Sequence, residues 1–208
     1  QGVLAGLRRG ATVIDCSTSL PGTTRDLAEL VIAQGGRFLD APMTRTPKEA
    51  AEGRINLIVG GDAELLAEHR PLLDSFAENV VHAGGIGTGH ALKLLHNFVS
   101  LGFSAILSEA AASARASGVE MGVLVEVLQQ GAGRGVVLDR LAPAFTRGDT
   151  SGFNFSISNG AKDMGYFRQM VEALGRPAAA PEALAEVYAA LARDGRGERS
   201  VAELFELI

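Results

Sequence analysis

Short apolar runs alternate with stretches of helical spacing over roughly the first 80 residues. Strands are predicted from four apolar runs, at 11–16, 37–41, 55–59 and 79–82. Helices are predicted between them, at 21–34 and 62–76. Strands this short, separated by helices of this length, predict an α/β layer with a mainly parallel sheet.

The pattern changes after Gly85, where no further strand is predicted. Six helices follow, separated by glycine-rich breaks, at 90–117, 121–130, 135–146, 157–174, 181–193 and 201–207. The sequence therefore predicts two domains, with an α/β piece at residues 1–84 and an all-helical domain at residues 85–208.

The first long helix is apolar on nearly every side between Leu94 and Ala112. A helix of this kind has to be enclosed by other helices, so a partner subunit is expected and the protein is predicted to be a homodimer or a higher homo-oligomer. The charge-free stretch from Leu94 to Ser108 is too short to cross a bilayer comfortably and contains His96 and Asn97. A buried core helix is therefore expected, without a membrane partner.

Composition and charge favour a small metabolite as the partner. The chain has 208 residues, of which 47% are hydrophobic and 21% charged, with a formal net charge of −5. Aromatic residues make up 5% and tryptophan is missing, so nucleic-acid binding has little support. The lone Cys16 excludes an intrachain disulfide and a Cys/His metal motif, so no metal site is predicted. A buried, inert thiol and a cytoplasmic location are expected.

A glycine-rich segment opens the long helix and leads to Lys93 and Asn97, which lie four residues apart and so share one helical face. No charge follows Lys93 until Glu109, so its ammonium is expected to be largely desolvated and easier to deprotonate. Such a lysine can take part in proton transfer. The alternative is a lysine that snorkels at a helix end beside a capping or core asparagine.

The glycines at 84–89 look like a dinucleotide-binding loop but do not complete its spacing. Position 90 is a histidine where the third glycine of Gly-x-Gly-x-x-Gly would be required. No β-α-β unit follows either, so this segment is not predicted to bind a dinucleotide.

Two strand-end segments carry further polar residues. The segment 15–21 lies at the carboxyl end of the first strand, where open α/β sheets bind ligands. Its hydroxyl groups are candidates for ligand contacts, although Thr18 or Ser19 would equally suit the cap of a helix with Pro21 in its first turn. In the second segment, Arg45 between two threonines suits a carboxylate, sulfonate or phosphate, unless it is an ordinary solvated arginine.

Taken in order, four segments resemble the β-hydroxyacid dehydrogenase family, which includes 3-hydroxyisobutyrate dehydrogenase, tartronate semialdehyde reductase and sulfolactaldehyde reductase. Residues 15–21 are similar to the family's Asp-x-Ser-Thr-x-x-Pro, and residues 40–61 to its Asp-Ala-Pro loop ending in Gly-Gly. Residues 85–97 are similar to Gly-x-Gly-x-x-x-Lys-x-x-x-Asn, and Lys162-Asp163 to a late Lys-Asp pair.

The resemblance implies a fold and a reaction. It implies the second part of a Rossmann-type NAD(P)-binding domain, followed by a 6-phosphogluconate dehydrogenase-like helical domain that dimerises. The family's glycine-rich dinucleotide loop is expected upstream of Gln1. The implied reaction is hydride transfer between NAD or NADP and a small 3-hydroxy acid or its aldehyde, and the choice between the two cofactors stays open.

The resemblance also implies roles for residues of this chain. Lys93 is the general acid/base, Asn97 orients the substrate, Thr18 lies by the nicotinamide and Lys162 reaches the cofactor. Substrate contacts are implied for Ser17, Thr44, Arg45 and Thr46.

The loop at 44–46 departs from the family pattern, because many members carry Ser-Gly-Gly there. This departure favours a strongly anionic hydroxy acid or aldehyde acid, with Arg45 holding its acid group and lowering the pKa of Lys93. The alternatives are a catalytically silent NAD(P)-binding module and an imine-reducing relative.

Overall fold

A computed structural model describes residues 2–208. The chain forms two compact units, the first ending at His96 and the second beginning at Asn97. The predicted domain boundary near residue 85 lies before this division, which falls within one long helix. That helix spans Thr88–Ala116 and contributes residues to both units.

The first unit is an α/β layer that follows a single 3-10 turn at Val3–Gly6. Its strands are β1 Thr12–Asp15, β2 Arg37–Asp40, β3 Met43–Thr44, β4 Ile55–Gly60 and β5 Ala77–Gly84. Its helices are α1 Pro21–Ala33, α2 Pro47–Ala51 and α3 Ala63–Leu73. The four predicted strands and the two predicted helices are therefore present.

The five strands form one sheet in the order β1-β2-β4-β3, in which β5 also pairs with β4. β1 pairs with β2 and β4 pairs with β5, both in parallel. The chain after β2 turns back, so that Asp40 lies opposite Gly60 and Thr44 opposite Asn56 in antiparallel pairs. This confirms the mainly parallel sheet, whereas β3 and α2 were not predicted because two and five residues are too few to show a period.

Both faces of the sheet are covered at β2, where Phe38, Leu39 and Asp40 are all buried. Neighbouring residues of β2 point to opposite faces, because side chains alternate along a strand. Phe38 packs with Ala28 and Val31 of α1, while Leu39 belongs to a second cluster with Leu66 of α3.

The second unit is helical. It contains most of α4 Thr88–Ala116, followed by α5 Met121–Gln130, α6 Val136–Arg147, α7 Ile157–Ala173, α8 Ala179–Leu191 and α9 Leu204–Leu207. A π-helical turn at Ala192–Arg196 and a 3-10 turn at Val201–Glu203 separate α8 from α9. The last predicted helix is therefore a 3-10 turn plus a short α-helix, and no strand occurs between residues 97 and 208.

One apolar core holds the helical unit together, with Leu101 and Leu107 of α4 packed beside Leu138 and Leu141 of α6. Tyr188 of α8 is fully buried in this core and its hydroxyl donates to the Leu101 carbonyl oxygen at 2.7 Å. Burial raises the pKa of Tyr188 because the phenolate would lose its hydration.

The single chain does not enclose α4 on every side. Leu94 and Leu101 are buried, but Val99 is 67% exposed and Ile106 is 57% exposed. The helix is also long and apolar enough to cross a membrane by length and composition alone, although 44% of the stretch concerned is buried inside the protein. Leu101, Ala105, Leu107 and Ala111 of this helix belong to the core just described.

Candidate active site

A buried carboxylate fixes where α4 begins. Asp40, the last residue of β2, is fully buried and accepts hydrogen bonds from the backbone N–H groups of Gly87 and His90, each at 2.8 Å. These first amides of a helix have no acceptor within it. A carboxylate at this end also interacts favourably with the helix dipole. Asp40 therefore anchors the helix that carries Lys93.

Two glycines allow α4 to approach the sheet closely. A Cβ atom on Gly89 would lie 2.5 Å from the Ile58 carbonyl oxygen, and one on Gly60 would lie 2.5 Å from Asp40 Oδ1. Neither position has room for a side chain. These glycines therefore have a packing role.

Lys93 and Asn97 lie one turn apart on α4, as predicted. Lys93 is half-buried rather than largely desolvated, and its neighbour Leu92 is 40% exposed. Asn97 is buried and donates its Nδ2–H to Asp163 Oδ2 at 2.7 Å. The lysine is therefore accessible enough for proton exchange, while the asparagine is held in one orientation.

Asp163 brings two predicted site residues together within the helical unit. Its Oδ2 accepts the hydrogen bond from Asn97, and its Oδ1 lies 3.0 Å from Lys162 Nζ. Asp163 is 3% exposed, whereas the Lys162 side chain is 46% exposed. Sequence analysis identified Asp163 only as a partner of Lys162, because 66 residues separate it from Asn97.

The segment after β1 does not cap the following helix. α1 begins at Pro21 with Leu20 as its N-cap, and no side chain caps it, so the capping alternative for Thr18 and Ser19 is wrong. The Ser17 backbone N–H donates to Asp15 Oδ1 at 2.9 Å. The hydroxyl groups of the segment are thus available for a ligand.

Cys16 in the same segment is half-buried rather than fully buried. Burial, with a smaller contribution from the charge of Asp15, raises the pKa of its thiol. A protonated thiol is a poor nucleophile, so this finding agrees with the inert thiol that the sequence predicts.

The loop at 44–46 places its three residues differently. Thr44 is buried in β3, and Thr46 forms a capping box with Glu49 at the start of α2, so the Thr46 hydroxyl has a structural partner. Arg45 has φ +82°, and it is the one non-glycine residue between 2 and 208 in the left-handed region.

The Arg45 guanidinium is engaged within the first unit. It donates to the carboxylate of Glu78 and to the carbonyl oxygen of Arg54. The hydrogen bond from Arg45 lowers the pKa of Glu78. An anionic substrate at Arg45 would therefore compete with Glu78 for the guanidinium.

Three residues of this region were not predicted to hold the site, namely Asp40, His90 and Asp163. Each is buried and polar, and each has a hydrogen-bond partner that lies 47 to 73 residues away along the chain. Sequence spacing cannot show such contacts. Over residues 2–208, no group of three or more His, Cys, Asp or Glu side chains is arranged to hold a metal ion.

Comparison with known families accounts for both parts of the chain. Residues 1–85 match the model described as the NAD binding domain of 6-phosphogluconate dehydrogenase. Residues 87–208 match the model described as NAD-binding of NADP-dependent 3-hydroxyisobutyrate dehydrogenase.

Individual relatives agree with these models. The chain is 31% identical to the NAD-dependent L-serine dehydrogenase of Pseudomonas aeruginosa, covering 99% of this chain and 72% of the relative. It is 32% identical to the 3-sulfolactaldehyde reductase of Escherichia coli, covering 100% and 70%. The structure of Mycobacterium tuberculosis 3-hydroxyisobutyrate dehydrogenase with L-serine superposes with a TM-score of 0.90 at 27% identity, covering 99% of this chain and 72% of that one.

A Rossmann-like sheet followed by a helical unit, together with the two family matches, defines an NAD(P)-dependent oxidoreductase. Within that class, the chain belongs to the β-hydroxyacid dehydrogenase family and acts on small hydroxy acids.

The two residues that the resemblance assigns to the cofactor, Thr18 and Lys162, lie in different units. The hydroxyl of Thr18 follows the carboxyl end of β1 and does not cap α1. The ammonium of Lys162 is half-exposed on α7. The glycine-rich loop that holds a pyrophosphate at a helix N-terminus is not found among the 208 residues.

Proposed function

We propose that Lys93 is the general acid/base for oxidation and reduction at the hydroxyl-bearing carbon of a small 3-hydroxy acid. The observation that carries this proposal is the placement of Lys93 on an anchored helix. Asp40 fixes the start of that helix, and one turn after the lysine Asp163 holds Asn97. A proton carrier has to stay within hydrogen-bond reach of the oxygen it serves, and a helix fixed in this way supplies such a position.

In the reduction, the Lys93 ammonium donates its proton to the carbonyl oxygen of the aldehyde as that oxygen gains negative charge. In the oxidation, the neutral amine takes the proton from the substrate hydroxyl. Bound NAD(P) supplies or accepts the hydride. Asn97 orients the substrate, and its hydrogen bond to Asp163 sets the direction of the amide.

The substrate class is proposed to be a small anionic hydroxy acid or aldehyde acid. Arg45 supplies a planar guanidinium that binds carboxylate or sulfonate oxygens in pairs. Its present partner, Glu78, is itself a carboxylate, which supports this choice of substrate class because the guanidinium already donates to such a group. Ser17 and Thr44 are proposed to contribute their hydroxyl groups, whereas Thr46 is mainly a helix cap.

The assignment of Lys93 is tested with two variants. Lys93→Ala removes the proton carrier. Lys93→Arg keeps a positive charge, but its guanidinium group does not deprotonate in proteins. We expect both variants to lose turnover by roughly 100-fold or more, because general acid/base catalysis contributes about that much. Cofactor affinity, measured by nucleotide fluorescence, is expected to stay near the original value.

Turnover that survives in either Lys93 variant would contradict the assignment. Circular dichroism on both variants checks that the helical unit still folds. An activity panel of hydroxy acids and aldehyde acids with NADH and with NADPH then identifies the preferred cofactor, and also detects an imine-reducing or silent protein.

The protein is further proposed to be a homodimer or a higher homo-oligomer. Large apolar side chains on the helical unit are exposed in the single chain, including Val99 and Ile106 of α4.

A cytoplasmic location without membrane or nucleic-acid partners is proposed from the single free cysteine and the net charge of −5. Cell fractionation tests the location.

A further inference from the structure

His90 is a fully buried imidazole that the proposed proton transfer does not use. It lies in the first turn of α4, and both ring nitrogens have partners on other elements of the first unit. Nε2 lies 3.1 Å from the carbonyl oxygen of Ser17, and Nδ1 lies 2.7 Å from the Oγ1 of Thr24. The backbone N–H of His90 donates to Asp40. One residue therefore links the segment after β1, helix α1 and the end of β2 to α4.

The partners of His90 determine which nitrogen carries the proton. The Ser17 carbonyl oxygen can only accept, so Nε2 has to be the N–H donor. In a neutral ring, Nδ1 then accepts the hydroxyl proton of Thr24. The Leu20 carbonyl, which lies 3.0 Å from that hydroxyl, also accepts the Thr24 backbone N–H, so turning the hydroxyl toward His90 leaves no carbonyl unpaired. Asp40 Oδ2 also lies 3.8 Å from Nδ1. With Nε2 facing the Ser17 carbonyl and Nδ1 facing the Thr24 hydroxyl, both ring nitrogens have a hydrogen-bond partner.

The hydrogen bond between His90 and Ser17 affects how the segment after β1 is held in place. Ser17 is exposed, and the helix that follows its segment lacks a side-chain cap. A hydrogen bond from a rigid, buried ring on α4 therefore restrains a segment that would otherwise be held mainly from the β1 side. Lys93 lies three residues after His90 on the same helix, so the same ring also belongs to the turn that positions the lysine.

We propose that His90 is a positioning residue for the reaction, and that its Nε2–H group holds the Ser17–Thr18 segment at a fixed distance from the turn of α4 that carries Lys93. This inference rests on the proposed roles of Lys93 and Thr18. A displacement of about 1 Å between reacting groups lowers rates by roughly 100-fold, so a single buried hydrogen bond at this point can control turnover.

Two amide variants separate the contacts of the ring. The side-chain nitrogen of His90→Gln reaches the position of Nε2 and can still donate to the Ser17 carbonyl oxygen. The shorter side chain of His90→Asn reaches only the position of Nδ1, beside Thr24. We expect the Asn variant to lose kcat by roughly 10- to 100-fold with a smaller change in KM. The Gln variant is expected to retain most of the original kcat.

Tyr188→Phe is the matched control, because it also removes one buried hydrogen bond, to the Leu101 carbonyl oxygen in the helical unit. It is expected to lower stability against urea without lowering kcat. Equal kcat values for the Gln and Asn variants, whether both high or both low, would overturn the proposal.

The proposal can also be tested on the unaltered protein, should the His90 variants fail to fold. Nitrogen-15 NMR of the imidazole is expected to show a protonated Nε2 and an unprotonated Nδ1, and the opposite tautomer would overturn the proposal. Lys93→Ala is assayed in parallel. Its retained turnover would refute the acid/base assignment, whereas the tautomer and the Gln–Asn comparison decide the role of His90.

Discussion

Arg45 adopts a strained backbone conformation. Its φ of +82° lies in the left-handed region, which costs a residue with a Cβ atom about 1–2 kcal/mol. The strain coincides with the position where many family members carry glycine. Its ion pair with Glu78 lies at the surface, where such pairs add little stability. The ion pair therefore adds little that would offset the strain, so the proposed role of Arg45 in substrate binding can be tested apart from its effect on stability.

Arg45→Gly should separate these two effects. Relief of backbone strain should offset the lost ion pair, so the free energy of unfolding in urea should change by less than about 1 kcal/mol. The KM of an anionic substrate should rise by roughly 10- to 100-fold, because a charge-assisted hydrogen bond contributes about 1.5–3 kcal/mol. A neutral analogue should show little change.

Arg54→Gln serves as the control, since Arg54 is a neighbouring arginine that lies 3.9 Å from Glu78 and has Glu52 as its main partner. This variant should keep the original KM. An equal rise of KM for anionic and neutral substrates in Arg45→Gly would show that the loop, and not the charge, binds the substrate.

At the scale of elements, the start of α4 depends on two packing glycines as well as on Asp40. A Cβ on Gly89 would approach the Ile58 carbonyl oxygen to 2.5 Å and Asp40 Oδ2 to 2.8 Å, and both atoms belong to the sheet side of the contact. A methyl group here would push the helix away from β4. Gly85, a few residues earlier, has open space around its Cβ position and a φ outside the left-handed region.

Gly89→Ala is therefore expected to lower the free energy of unfolding by about 1–3 kcal/mol, because inserted atoms strain a close contact. It should also reduce kcat, since the helix that carries Lys93 shifts. Gly85→Ala should leave both quantities near their original values. Urea unfolding and steady-state kinetics measure the two effects, and equal stability of the two variants would show that α4 adapts without cost.

The observed elements and contacts, set beside the predicted ones, show what the sequence can and cannot predict. Helix α5 has the predicted bounds, because ten residues with a clear period identify a helix. The short β3 and α2 carry no such period. Lys93 and Arg45 were identified from local motifs and a family resemblance. The residues that hold the site in place, such as His90 and Asp163, were not, because their contacts join distant parts of the chain.

At the scale of the whole molecule, the helical unit leaves apolar surface that a single chain does not cover. Val99 and Ile106 lie seven residues apart on α4, so they share one face, and both are more than half exposed. On α5, Val123 and Val127 are also exposed, four residues apart. Exposed apolar residues that share one helix face are typical of a subunit interface. The α4 face formed by Val99 and Ile106 is the surface that we expect a second copy to cover.

Sedimentation equilibrium at micromolar concentration should therefore show a dimer or a higher oligomer. A double variant, Val99→Glu with Ile106→Glu, should shift the protein toward monomer, because two carboxylates would lose their hydration in an apolar interface. Val3→Glu is the control, since Val3 is 75% exposed but lies in the first unit. A monomeric unaltered protein, or a double variant that stays oligomeric, would show that this face of α4 is not the interface.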